Sequence, residues 1–132
     1  MAPRRRAPTV PIVRSRAWLE WHGESLLGQG RLALLEALQE RGSISAAARS
    51  LGVSYRAAWR WIDAMNQAAG QPLVTTATGG RGGGGAQLTP AGEAVIEAAR
   101  LLGVRLAAWN EQMNLELSAY FAGLPRSTRR NG

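Results

Sequence analysis

The sequence predicts a mostly helical fold with one small β hairpin and a long C-terminal helix. Three observations carry that expectation. Capping serines and helix-ending glycines follow one another in order between residues 31 and 70. Two short segments, one rich in β-branched residues, flank a glycine tract at residues 79–85. An apolar stripe then runs unbroken for some thirty residues after Pro90.

The elements follow in chain order. Residues 1–16 are rich in arginine and proline, a composition expected of a disordered arm. Residues 17–22 read as a short strand ending at Gly23, with Leu26 and Leu27 extending it after a turn. From Arg31 to Arg41, Leu32, Leu35 and Leu38 recur every three residues beside Leu34, an amphipathic helix stopped by Gly42. Ser45 is read as the cap of a short helix, Ala46 to Leu51, stopped by Gly52. Ser54 caps a third helix that reaches about Ala69 and ends at Gly70. A helix under two turns long, a Gly-Val turn and a longer capped helix make a helix-turn-helix.

Residues 73–77 and 86–88 are then the strands of a wing, with the glycine tract as its tip. Thr89 caps the last helix, and Pro90 sits at its first position, where a missing N–H costs nothing. Val95, Ala99, Leu102, Leu106, Trp109, Met113, Leu117 and Tyr120 fall at intervals of three and four, close to the period of a helix-pairing seam. So long a helix outreaches the core of a small domain, and its far half is expected to pair with a second copy. The organisation that results is an arm (1–16), a winged helix-turn-helix (17–89), a dimerisation helix (90–122) and a basic tail (123–132).

Composition narrows the chemistry. The 132 residues hold sixteen arginines, no lysine, nine acidic residues and no cysteine. A disulfide framework and a thiolate metal site are thereby excluded. His22 is the only histidine, lacks an obvious partner, and leaves neither a multi-histidine metal site nor a credible catalytic triad. No apolar run approaches the roughly 20 residues that span a bilayer, so a cytoplasmic protein is expected. The net charge of +7 sits mainly in the termini, but residues 41–81 hold Arg41, Arg49, Arg56, Arg60 and Arg81 against Asp63 alone. That excess points to a polyanion, most simply nucleic acid.

On a helical wheel, Arg56, Arg60, Asp63 and Gln67 lie opposite the apolar face of the third helix, with Tyr55 at its border and Trp59 on its flank. Arginines four residues apart repel, and phosphates or guanine edges relieve that repulsion. The alternative is that Arg60 pairs with Asp63 and Arg56 is solvated. Ser43, Ser45 and Ser54 offer helix N-termini to phosphates, and Arg49 is a candidate phosphate contact. Arg81 sits within a thin glycine tip suited to close approach to a nucleic-acid backbone. The tract formally matches a dinucleotide fingerprint, yet no βαβ unit surrounds it. Leu102, Leu106, Trp109, Met113, Leu117 and Tyr120 are the candidate dimerisation residues.

The motifs resemble a known family. Gly42-Ser43-Ile44-Ser45, Ser54-Tyr55-Arg56-x-Ala58-Trp59, Met65-Asn66-Gln67 and the run from Ala77 to Thr89 resemble the N-terminal DNA-binding domain of the molybdate-responsive regulator ModE. Ala46 to Ser54 and Leu88 to Glu93 are similar to the LysR-type winged helix. The resemblance implies a regulator that dimerises and binds double-stranded DNA at an inverted repeat. It places the family's Tyr-Lys/Arg-x-Ala-Trp stretch on Tyr55, Arg56, Ala58 and Trp59. Full-length members bind molybdate in C-terminal modules, and residues 106–132 show no equivalent motif, so no cofactor is expected here. A low-specificity protein that coats the chromosome is the competing reading, and an oxyanion-responsive partner acting by protein contact is a third. Catalysis is not expected, since no carboxylate pair or activated nucleophile is recognisable.

Overall fold

The computed structural model describes residues 8–77 and 85–125. The chain divides into two compact units, residues 17–103 and residues 1–16 with 104–132. The order of elements in the larger unit is β1 (Leu19–Trp21), β2 (Glu24–Leu27), α1 (Gln29–Arg41), α2 (Ile44–Leu51), α3 (Tyr55–Ala69), β3 (Val74–Thr76) and β4 (Ala86–Leu88). The last helix, α4 (Pro90–Phe121), begins in this unit and continues in the other. The mostly helical fold with a wing and a long terminal helix is as the sequence predicts.

The predicted first strand is shorter and forms a hairpin. β1 pairs antiparallel with β2 through a two-residue turn, Trp21 facing Glu24. His22 (φ 52°) and Gly23 (φ 77°) both have positive φ, which a tight turn matching the twist of the strands requires. The sequence leaves His22 without a partner, and the structure gives it two. Its Nδ1–H donates to the Ala68 carbonyl at 2.9 Å, and its ring stacks on Trp21 at 5.6 Å. The hairpin is thus fastened to the end of α3.

Helices α1, α2 and α3 end at Gly42, Gly52 and Gly70, all left-handed, as read from the sequence. Gly52 makes the decisive turn. The Val53 N–H reaches back to the Ala48 carbonyl at 3.0 Å, closing α2 so that Ser54 can start α3. One cap differs from expectation: Ser43, and not Ser45, starts α2. Ser43 has extended backbone, and its Oγ accepts the Ala46 N–H at 3.0 Å. The reason is burial. Ile44, Ala47 and Ala48 are all buried, so the helix must include Ile44 to bring these three onto one face. Ser45 is left exposed in the first turn. Ser43→Ala is therefore expected to lower stability by about 1 kcal/mol. Ser45→Ala should change it by less than about 0.5 kcal/mol. Urea denaturation would separate the two.

The core is apolar throughout, with Leu34, Leu35, Ile62, Met65, Leu73 and Ile96 essentially inaccessible and no buried polar side chain among the described residues. Three hydrogen bonds fix the base of the wing. Asn66 Oδ1 accepts the Leu73 N–H at 2.8 Å, the Leu73 carbonyl accepts the Thr89 N–H at 2.9 Å, and the Gly42 carbonyl accepts the Ala86 N–H at 2.9 Å. Thr89 Oγ1 caps α4 by accepting the Gly92 N–H at 3.1 Å, and its hydroxyl donates to the Pro72 carbonyl at 2.8 Å. The strands pair Val74 with Leu88 and Thr76 with Ala86. The tip, residues 78–84, lies outside the described residues, and with it the sequence expectation for Arg81.

Candidate nucleic-acid interface

Helix α3 forms because Ser54 caps it, its Oγ accepting the Ala57 N–H at 3.0 Å, and because one face is apolar enough to bury. Ala58, Ile62, Met65, Ala68 and Ala69 occupy that face and fix the rotation of the helix. Everything opposite is thereby turned outward. Arg56, Arg60, Asp63 and Gln67 are exposed, and Tyr55 keeps 56% of its surface. Trp59 is half-buried and meets Tyr55 edge to face, with centroids 6.3 Å apart. That contact restrains the tyrosine ring on the exposed side of α3.

The pairing of Arg60 with Asp63 that the sequence left open is not formed. Among the described residues the ion pairs are those of Arg100 with Glu36 and Glu97. Arg56 and Arg60 thus keep their donors unpaired by any described acidic group, on one outward face one turn apart. Five N–H donors in a rigid fork suit phosphates or the acceptor edge of guanine.

The capping serines each keep a hydroxyl donor. Ser43 Oγ and Ser54 Oγ each accept a backbone N–H, which leaves each O–H able to donate to an anion. Ser45 and Arg49 are exposed on α2, which packs against α3. No group of three or more potential metal ligands occurs among the described residues. No helix there is long and apolar enough to cross a membrane.

The candidate dimerisation residues divide by exposure. Leu102, Leu106, Met113 and Leu117 are half-buried, whereas Trp109 and Tyr120 keep 48% and 79% of their surface. Two residues that the sequence reading passed over lie beside them. Asn114 Oδ1 accepts the Val13 N–H at 2.6 Å, and Asn114 Nδ2 donates to the Val13 carbonyl at 3.4 Å. The Ser15 hydroxyl donates to Asn110 Oδ1 at 2.6 Å. So part of the arm expected to be disordered is held on α4. The available signal was the pair of asparagines four residues apart, poor helix formers in the middle of a helix.

A capped two-helix turn, an outward basic face on its second helix and a hairpin wing define a winged helix-turn-helix of the kind that DNA-binding regulators carry. Residues 30–93 match the family described as bacterial regulatory helix-turn-helix protein, lysR family. The chain is 46% identical over 110 residues to the molybdenum-pterin-binding protein MopB of Rhodobacter capsulatus, covering 80% of this chain and 41% of that protein. It is 47% identical over 72 residues to the DNA-binding transcriptional dual regulator ModE of Escherichia coli (strain K12), covering 54% of this chain and 28% of that one. It therefore spans about two fifths or less of the length of these relatives. Among solved structures, the DNA-binding domain of CbnR in complex with DNA superimposes with a TM-score of 0.53 at 27% identity, covering 70% of this chain and 99% of that one.

Proposed function

We propose that the chain is a sequence-specific DNA-binding transcriptional regulator that acts as a dimer on an inverted repeat. The observation that carries this reading is the outward face of α3, where Arg56 and Arg60 lack acidic partners among the described residues, within a segment that matches the LysR-type helix-turn-helix. In this reading α3 enters the major groove, and the two arginines bond bidentately to guanine O6 and N7. Tyr55 and Trp59 pack along the groove wall. Ser43, Ser45, Ser54 and Arg49 meet phosphates at the N-termini and exposed side of α2 and α3, which fixes register without reading sequence. Arg81 of the wing adds a backbone or minor-groove contact.

The dimer is formed by the stripe Leu102, Leu106, Trp109, Met113, Leu117 and Tyr120 of α4, with residues 17–89 as the DNA-binding domain and the two arginine-bearing termini as accessory segments. Its place is the cytoplasm, on the chromosome, and its role is binding and not catalysis.

Selection from random duplex DNA, run at two salt concentrations, tests the reading. An inverted repeat enriched at both is the expected result, with half-sites about one helical turn apart. Recovery of unselected DNA that disappears at the higher salt would replace it with the chromosome-coating reading, since phosphate contacts alone weaken steeply with salt.

A further inference from the structure

Val13 and Ser15 hydrogen-bond to α4 beside the stripe that a second copy would need. Within the unit formed by residues 1–16 and 104–132, the half-buried side chains of α4 are Leu106, Asn110, Met113, Asn114, Leu117 and Phe121. At 100° per residue these six share one arc of roughly 100°. Three of them belong to the dimerisation stripe.

The arm is held there by register. Val13 meets Asn114 and Ser15 meets Asn110, so the arm runs antiparallel to the helix. Two residues of extended chain advance about 6.6 Å, and one helical turn of four residues about 6 Å, so the two asparagines step in time with alternate arm residues. Burial alternates accordingly: Val13 and Ser15 are half-buried, and Arg14 and Arg16 are exposed. The Asn114 amide engages both backbone groups of Val13, as a neighbouring strand would.

We propose that residues 10–16 form an intramolecular plug over the α4 seam, clamped by Asn110 and Asn114, and that the arm must leave before two copies pair. The proposal rests on the dimer put forward above. A monomer that is open about a third of the time loses about tenfold in dimer affinity, because both copies must open.

The chain has no cysteine, so Ser15→Cys with Asn110→Cys installs a single possible disulfide. Sedimentation of this variant should show a monomer when oxidised and a dimer when reduced. Asn110→Ala with Asn114→Ala, which favours the helix itself, should dimerise about tenfold or more tightly than the unaltered chain. A locked form that dimerises as well as its reduced form, or asparagine variants that pair no more tightly, would overturn the plug and leave the dimer standing. Failure to form the disulfide, or its formation between two copies, would overturn it as well. A chain that stays monomeric in every form, on duplex DNA included, would remove the dimer and the plug together.

Discussion

Arg56→Ala and Arg60→Ala are each expected to reduce discrimination between the selected site and random duplex by about 1–3 kcal/mol, roughly fivefold to 150-fold. The expectation comes from geometry. Both side chains stand on the exposed face of α3, and the buried Ala58, Ile62 and Met65 hold that face outward. Neither guanidinium has a described acidic partner, so neither substitution disturbs an ion pair of the fold. Thermal stability should accordingly change by less than about 0.5 kcal/mol. Titrations against both duplexes across a salt series would distinguish two modes of action. A base-reading arginine lowers the ratio of the two affinities. A phosphate-contacting one lowers both affinities together and reduces the salt slope by about one unit. Alanine variants that keep the full ratio would move sequence reading away from α3.

Gly92→Ala is expected to destabilise the larger unit by about 3 kcal/mol, the upper end of the cost of overpacking. A Cβ at this position would lie 2.2 Å from the Leu73 carbonyl oxygen. That oxygen cannot retreat easily. It accepts the Thr89 N–H at 2.9 Å, the Leu73 N–H is held by Asn66, and the Leu73 side chain is fully buried. Helix propensity alone argues the other way, since alanine is better than glycine in a helix by about 1 kcal/mol. Gly103→Ala supplies the internal control. It lies in the same helix with nothing within 4 Å of the added Cβ. There the propensity gain should appear undiminished, and stability should rise by about 0.5–1 kcal/mol. In calorimetry the two substitutions should move the melting temperature in opposite directions, by roughly −12 °C or more and about +4 °C, at 4–8 °C per kcal/mol for a domain of this size. A Gly92→Ala variant that melts at or above the unaltered protein would show that α4 and Leu73 separate readily.

Much of the helix-turn-helix was legible because its signals are local. Ser54, Gly52 and Gly70 act on backbone groups within four residues of themselves, and the apolar face of α3 is set by a period that the chain carries openly. The same periodicity turns Arg56 and Arg60 outward. Where two local signals competed, the sequence reading erred. Ser43 and Ser45 are both competent caps, and the choice fell to Ser43 because Ile44 is drawn into the core. The first hairpin was read only as a strand and a continuation. Its turn lacks the Asn-Gly or Asp-Gly signature, and His22 tolerates a positive φ while bonded to Ala68, forty-six residues away.

The sequence by itself determined the order of elements, the helix boundaries to within two residues where caps and stops were unambiguous, and the basic face of α3. The tertiary structure decided that Gly92 must be glycine, that Arg60 and Asp63 stay apart, and that Asn110 and Asn114 hold an arm about a hundred residues earlier in the chain. The division has one physical cause. Capping and periodicity act between residues close along the chain, where backbone geometry fixes their separation. A carbonyl beside a glycine, or an amide facing a distant strand, depends on packing that no local pattern records.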